Sequence, residues 1–172
     1  MAPYYFTNPD TIGFGQYEKH SVSQVIFKNP NYIQWILSCP LKTGKMEIAA
    51  DNARELIDIF NSKPYVKKCR DCKKQSQKCY VYNDTTMLYF WCKECNIYSA
   101  GKFSEIKTYD DVIQYAKSYW KGKTKNTKYV KKLIYSLARA KGLPGNADKN
   151  RPNKGQISEF FAHHNSDDDI VI

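Results

Sequence analysis

Residues 69–95 read CRDCKKQSQKCYVYNDTTMLYFWCKEC. Two C-x-x-C pairs, Cys69 with Cys72 and Cys92 with Cys95, bracket nineteen residues. Cysteines at this spacing share a metal: each pair turns the chain in a tight knuckle, and the segment between must fold back to bring the knuckles together. The segment has the residues to do so. Cys79–Tyr82 and Met87–Trp91 are rich in β-branched and aromatic side chains, and Asn83-Asp84-Thr85-Thr86 supplies turn chemistry between them. The pattern predicts a β-hairpin whose thiolates, from Cys69, Cys72, Cys92 and Cys95, surround one Zn²⁺ tetrahedrally. Four sulfurs leave no coordination position for water, so such an ion holds structure and activates nothing. Two disulfides or a redox C-x-x-C are the competing readings.

The remaining cysteines, Cys39 and Cys79, fall outside that shell and read as small buried hydrophobes. Free thiols, a zinc site and no recognisable secretory leader point to a reducing compartment: nucleus, cytoplasm or viral replication site. No apolar run approaches the length of a membrane helix.

The chain has 172 residues and a formal net charge of +10, unevenly spread. Residues 1–60 carry 5 Lys/Arg against 6 Asp/Glu, residues 61–155 carry 22 against 7, and residues 156–172 carry none against 4. The positive charge therefore gathers around the cysteine segment and the helical stretch after it. Interleaved with tyrosines, it exceeds what solubility requires and predicts a polyanion partner, DNA or RNA bound through phosphates, with an acidic protein surface as the competitor. Lys67, Lys68, Arg70, Lys73, Lys74, Lys128, Lys131, Lys132 and Arg139 are the candidate phosphate contacts. Tyr80, Tyr82, Tyr89 and Trp91 are candidate stacking residues if the ligand is single-stranded.

Helix signals flank the hairpin. Ser21-Val22-Ser23-Gln24 is a capping box ahead of Val25 and Ile26. Asn29-Pro30 gives an N-cap and first-turn proline to a helix ended by Cys39-Pro40. A third helix, with Asp51 as its cap, places Ala53, Leu56, Ile57 and Phe60 on one face. Thr108–Asp111 is a second capping box, and a last helix from about Thr127 buries Val130, Leu133, Ile134 and Leu137 before Gly142 and Pro144. Lys128, Lys131, Lys132, Arg139 and Lys141 fall on its polar side. The fold class is α+β: an α-rich unit over 1–62, the hairpin over 63–106, a basic helical pair over 107–142 and a disordered tail over 143–172.

Two resemblances sharpen these expectations. The hairpin with its cysteines resembles a Cys₄ zinc ribbon. Phe14-Gly15-Gln16-Tyr17, Lys19-His20-Ser21, Val25 and Asn29-Pro30-Asn31-Tyr32-Ile33-Gln34-Trp35-Ile36-Leu37 resemble the small domain at the C-terminus of exodeoxyribonuclease X-like proteins. The resemblance spans roughly residues 11–60, with Gln16 where that family carries lysine and no glycine at Lys19. The exonuclease's acidic catalytic domain has no counterpart, so the resemblance implies an accessory module of nucleic-acid metabolism and no reaction.

Within the tail, Lys154-Gly155-Gln156-Ile157-Ser158-Glu159-Phe160-Phe161 resembles the motif that docks on sliding clamps, with Ile157, Phe160 and Phe161 as the plug and Lys154 where glutamine belongs. The alternative is that this segment packs on the protein's own core. Asp167-Asp168-Asp169-Ile170-Val171-Ile172 resembles a SUMO-interacting motif, or is a plain acidic end.

No P-loop, H-E-x-x-H or G-x-S-x-G is present, and His20, His163 and His164 pair with no nucleophile by motif. The expectation is a non-enzymatic accessory factor of DNA replication, repair or recombination tethered to a sliding clamp. The alternatives are a transcription-related factor docking on RNA polymerase and an unrecognised nuclease.

Overall fold

Asn29 closes one helix and opens the next. Its backbone N–H donates to the Val25 carbonyl, while its side-chain oxygen accepts from the Tyr32 N–H at 3.1 Å. The helices it joins are α1 (Val22–Lys28) and α2 (Pro30–Ser38), the first entered through the Ser21/Gln24 capping box. The computed structural model describes residues 11–95, 101–121, 126–145 and 151–162. Val22, Val25, Ile26 and Phe27 of α1 are fully buried. Ahead of α1 a short 3₁₀ turn, Gly15–Tyr17, sets Tyr17 edge-on to Tyr32, with ring centroids 4.9 Å apart. Gly15 sits at φ 63°, and a Cβ there would stand 2.7 Å from the Tyr32 hydroxyl. Only glycine fits both the conformation and the space.

The third helix, α3 (Lys45–Ser62), starts earlier than the sequence suggests. Asp51 is not its cap but an exposed mid-helix residue paired with Arg54 at 2.9 Å. Ala49 and Ala50 extend the buried stripe of Ala53, Leu56, Ile57 and Phe60 towards the N-terminus. Alanine is too small and too weakly apolar to announce that extension in a periodicity reading.

A three-stranded antiparallel sheet comes next, in the order β2-β1-β3: β1 (Lys78–Tyr82), β2 (Leu88–Trp91) and β3 (Phe103–Glu105). The predicted hairpin is β1 and β2, joined by a turn in which Asp84 adopts φ 60°. Tyr115, from the next helix, donates its hydroxyl to the Tyr82 and Thr85 carbonyls and so ties down the hairpin tip. β3 is additional: three residues are too few for alternation to stand out.

Helix α4 (Tyr109–Tyr119) begins at the predicted Thr108/Asp111 capping box and buries Tyr109, Val112, Ile113, Tyr115 and Ala116, with Trp120 just beyond it. Helix α5 (Asn126–Ala140) buries Val130, Leu133, Ile134 and Leu137. It ends in a Schellman motif: Leu143 N–H donates to the Ala138 carbonyl and Gly142 N–H to the Arg139 carbonyl, with Gly142 at φ 103°.

Further expectations change. Residues 151–162, placed within a disordered tail, include a helix, α6 (Lys154–Ala162). Ile157, Phe160 and Phe161 are 5%, 3% and 7% exposed and fill the protein's own core instead of projecting as a plug. Phe27 and Phe60 offer them a large aromatic surface, which outweighs the polar composition around the segment. Cys39 is half-exposed, its sulfur 3.5 Å from the Leu41 carbonyl. Lys141 is buried, for it lies past the last turn of α5, where the chain turns inward.

One contiguous core runs from Ile12 through α1–α5 and the inner side of β1 to Phe161, so it crosses the boundaries expected at 62/63, 106/107 and 142/143. Cys79 and Val81 are the fully buried contribution of β1. A smaller cluster on the other side of the sheet comprises Cys69, Trp91 and Cys92, with Tyr80, Tyr89, Cys95 and Phe103 against it. The stretch 122–125, His163, His164 and the acidic end at 167–172, with its SUMO-like reading, lie outside the described residues. Among the described residues no helix is long and apolar enough to cross a membrane.

Candidate metal centre and its basic rim

The first knuckle closes through two backbone hydrogen bonds, Cys69 N–H to Lys74 carbonyl at 2.7 Å and Lys73 N–H to Cys69 carbonyl at 3.2 Å. Lys73 takes the left-handed φ of 63° that this return requires. In the second knuckle, Cys95 N–H donates to Cys92 Sγ at 3.4 Å. The sheet docks one knuckle on the other: Arg70 N–H donates to the Phe90 carbonyl, Gln77 N–H to the Trp91 carbonyl, and Lys93 N–H to Gln77 Oε1. An exposed ion pair, Lys74 Nζ to Glu94 at 3.3 Å, spans the two. Trp91 Nε1–H donates to Asp71 at 3.2 Å, fixing the x-x of the first pair against β2.

The result is convergence of the four predicted sulfurs. Cys69, Cys72, Cys92 and Cys95 have ligand atoms within 4.8 Å of one another, and Cys72 and Cys92 are 3.5 Å apart. A tetrahedron with Zn–S bonds of about 2.3 Å has edges of roughly 3.8 Å, so the cluster is of the right size for a metal. Cys69 and Cys92 are buried, Cys95 half-buried and Cys72 exposed. Burial opposes ionisation of Cys69, but backbone N–H groups of Cys72, Cys92 and Asp71 outweigh it and draw that thiol down to about 6. Sharing a hydrogen bond with Cys92, with burial added, pushes Cys95 up to about 12. Thiols this close cannot all ionise alone, whereas a divalent cation stabilises every thiolate at once. Cys79 lies apart in the main core, where burial pushes it up to about 12, and it is no substitute ligand. Among the described residues this is the cluster of His, Cys, Asp or Glu able to hold a metal ion.

The predicted basic residues fall into two groups. Lys67, Lys68, Arg70, Lys73 and Lys74 are all exposed and rim the first knuckle. Lys73 Nζ donates to the Arg70 carbonyl, Lys74 pairs with Glu94, and the Arg70 guanidinium lies 5.0 Å from the Tyr89 ring centroid. The second group sits on α5, which packs on α1, α2 and α4. Lys128 and Lys132 are exposed, whereas Lys131 and Arg139 are half-buried. Burial, then the neighbouring charges of Arg151 and Lys28, hold Lys131 below the usual lysine range, which marks Lys28, Lys131 and Arg151 as one positive patch. Arg139 lies 5.8 Å from the Tyr135 ring centroid, against the protein's own surface. Lys28 and Arg151 carry no signal in the sequence, because only the tertiary fold brings α1 and the residues ahead of α6 to Lys131.

Trp91 is buried, while Tyr80 and Tyr89 are half-buried and Tyr82 is 39% exposed. No protein-family model matches the chain, and no curated protein or solved structure matches it either.

Proposed function

We propose that this protein is a zinc-stabilised nucleic-acid-binding accessory factor. The observation that carries the reading is the exposed basic rim of Lys67, Lys68, Arg70, Lys73 and Lys74 built on the four-cysteine knuckle. The cysteine set is all sulfur at tetrahedral spacing, the donor set that favours Zn²⁺, and a closed four-sulfur shell gives the ion a structural task. Fixing the knuckle fixes the backbone from which the cationic side chains project, so they meet a polyanion without first paying for order in that backbone. The stretch 61–155 as a whole carries 22 Lys/Arg against 7 Asp/Glu. The resemblance of residues 11–60 to an exonuclease-associated module agrees with a role in DNA replication, repair or recombination.

Phosphate-led binding has a thermodynamic signature. Log affinity for duplex DNA falls linearly with log salt, by roughly 0.9 per phosphate neutralised. Replacing Lys67 and Lys68 together with alanine should lower that slope by about 1.8 and leave the melting temperature nearly unchanged, since both side chains are exposed. Failure to bind any nucleic acid at low salt overturns the reading.

A further inference from the structure

Side chains alternate across a strand, and the register of this sheet sorts them sharply. Cys79 and Val81 point into the main core. Tyr80 and Tyr82 therefore face the other way, opposite Tyr89 of β2 and Phe103 of β3 in the pairings Tyr80↔Tyr89 and Tyr82↔Phe103. Trp91 joins them from β2. The outer face thus carries five aromatic side chains, one of which, Phe103, stands edge-on to Tyr82, Tyr89 and Trp91 at centroid distances of 5.3, 5.4 and 5.9 Å. Trp91 is sealed beneath the others at 3% exposure and serves as the floor. Tyr80, Tyr89 and Phe103 are half-buried and Tyr82 is more open, so ring surface remains presented to solvent.

The charge around this face is mainly cationic, with the Asp71 carboxylate accepting from Trp91 Nε1–H at its floor as the exception. Arg70 lies over Tyr89, Lys78 shares the outer face of β1, and exposed Lys93 and Lys102 stand in the second knuckle and directly before Phe103. The carboxylate on the outer side of the strands, Glu105, is paired with Lys107 at 3.5 Å. Open rings bordered by cations suit a ligand that offers flat π-surfaces on an anionic backbone. Duplex DNA hides its base faces within its own stack; a single strand exposes them.

From this juxtaposition we infer that the outer face of the sheet is a stacking platform for single-stranded nucleic acid. The inference deepens the nucleic-acid reading above and rests on it. Unpaired bases stack on Tyr82 and Tyr80, and Arg70 with Lys102 tracks the phosphates. Phe103 and Trp91 hold the tyrosine rings in place from the side and from below.

Fluorescence anisotropy on the full zinc-loaded chain tests this, with a labelled mixed-sequence single-stranded oligonucleotide, its blunt duplex and heparin as a polyanion without bases. The wild type should bind the single strand more tightly than the duplex at equal salt. Loss of one stacked base lowers affinity by about 5- to 150-fold. Tyr82→Ala should show a loss in that range for the single strand, with heparin binding and the salt slope unchanged. Tyr82→Phe should restore single-strand affinity, because stacking needs the ring and not the hydroxyl. The Tyr82 backbone carbonyl, which anchors the hairpin tip to Tyr115, survives either change, and matched thermal melts establish that the variants are folded. If the wild type binds heparin and duplex as tightly as the single strand, or Tyr82→Ala binds the single strand normally, the platform is overturned while phosphate-led binding stands. If nothing binds at low salt, both fall.

Discussion

The Phe160 ring lies edge-on to Phe27, centroids 6.1 Å apart, and 5.8 Å from Phe60. These contacts join α6 to α1 and α3 across a hundred residues of sequence or more. A segment that could have served as an exposed docking peptide is thereby part of the core. For a sliding clamp to take Ile157, Phe160 and Phe161, the chain would have to surrender all three from that core.

Replacing Phe160 and Phe161 with alanine should therefore lower the melting temperature sharply. Large-to-small changes at a buried phenylalanine cost about 3–5 kcal/mol each, a large share of the stability of a domain of this size. Thermal unfolding followed by circular dichroism measures it. A double variant that melts with the wild type would show that α6 contributes little and that its aromatic residues are free for another partner.

Metal removal should divide the molecule unevenly. Three of the four clustered cysteines, Cys69, Cys92 and Cys95, belong to the outer cluster with Trp91, whereas the main core draws on the sheet through its inner side chains such as Cys79 and Val81. The protein should contain one zinc per chain by elemental analysis. Chelation, or Cys92→Ser, should collapse the aromatic near-ultraviolet signal of the packed Trp91, Tyr89 and Phe103 while retaining most of the helical signal. Structural zinc in small fingers contributes about 10–16 kcal/mol of apparent binding energy, so the outer cluster has no means of surviving its loss. Unchanged aromatic signal after complete chelation would contradict this division.

Whether a feature is legible in the sequence depends on the range of the interactions that make it. The caps at Ser21, Asn29 and Thr108 are legible because each is satisfied within three residues of itself. The cysteine convergence is legible for a similar reason: two knuckles and a turn are local, and the hairpin between them closes the distance. By contrast, α6 looks like tail until Phe27 and Phe60 are seen to need covering, and nothing near residue 160 announces them. Phe103 escapes notice because β3 spans only three residues, yet it completes the outer aromatic face. Lys141 reads as one more cation on a basic helix; its burial depends on the end of α3, some eighty residues earlier.

Lys141 also provides a test through pH. Its ammonium donates to the Asn61 and Lys63 carbonyls at 3.2 and 2.9 Å, at the end of α3, and lies 4.9 Å from the Tyr65 ring centroid. Burial lowers it from 10.5 to about 8. Below about pH 8 the folded protein must hold a charge that burial disfavours, while the unfolded chain carries the same proton freely. As pH rises from about 8 towards 10.5 the folded state sheds the proton first, the penalty fades, and this residue's contribution to stability rises. Cys79, pushed up to about 12, stays protonated through that window. In Lys141→Met the titrating group is gone. The stability of the wild type relative to this variant should thus rise by roughly 1–3 kcal/mol between pH 7 and pH 10. Denaturant unfolding of the two proteins in matched buffers measures the difference, in which the titration of the four clustered cysteines cancels. A difference that stays flat across the window, or falls, would show that Lys141 is not held in the folded state as a disfavoured cation.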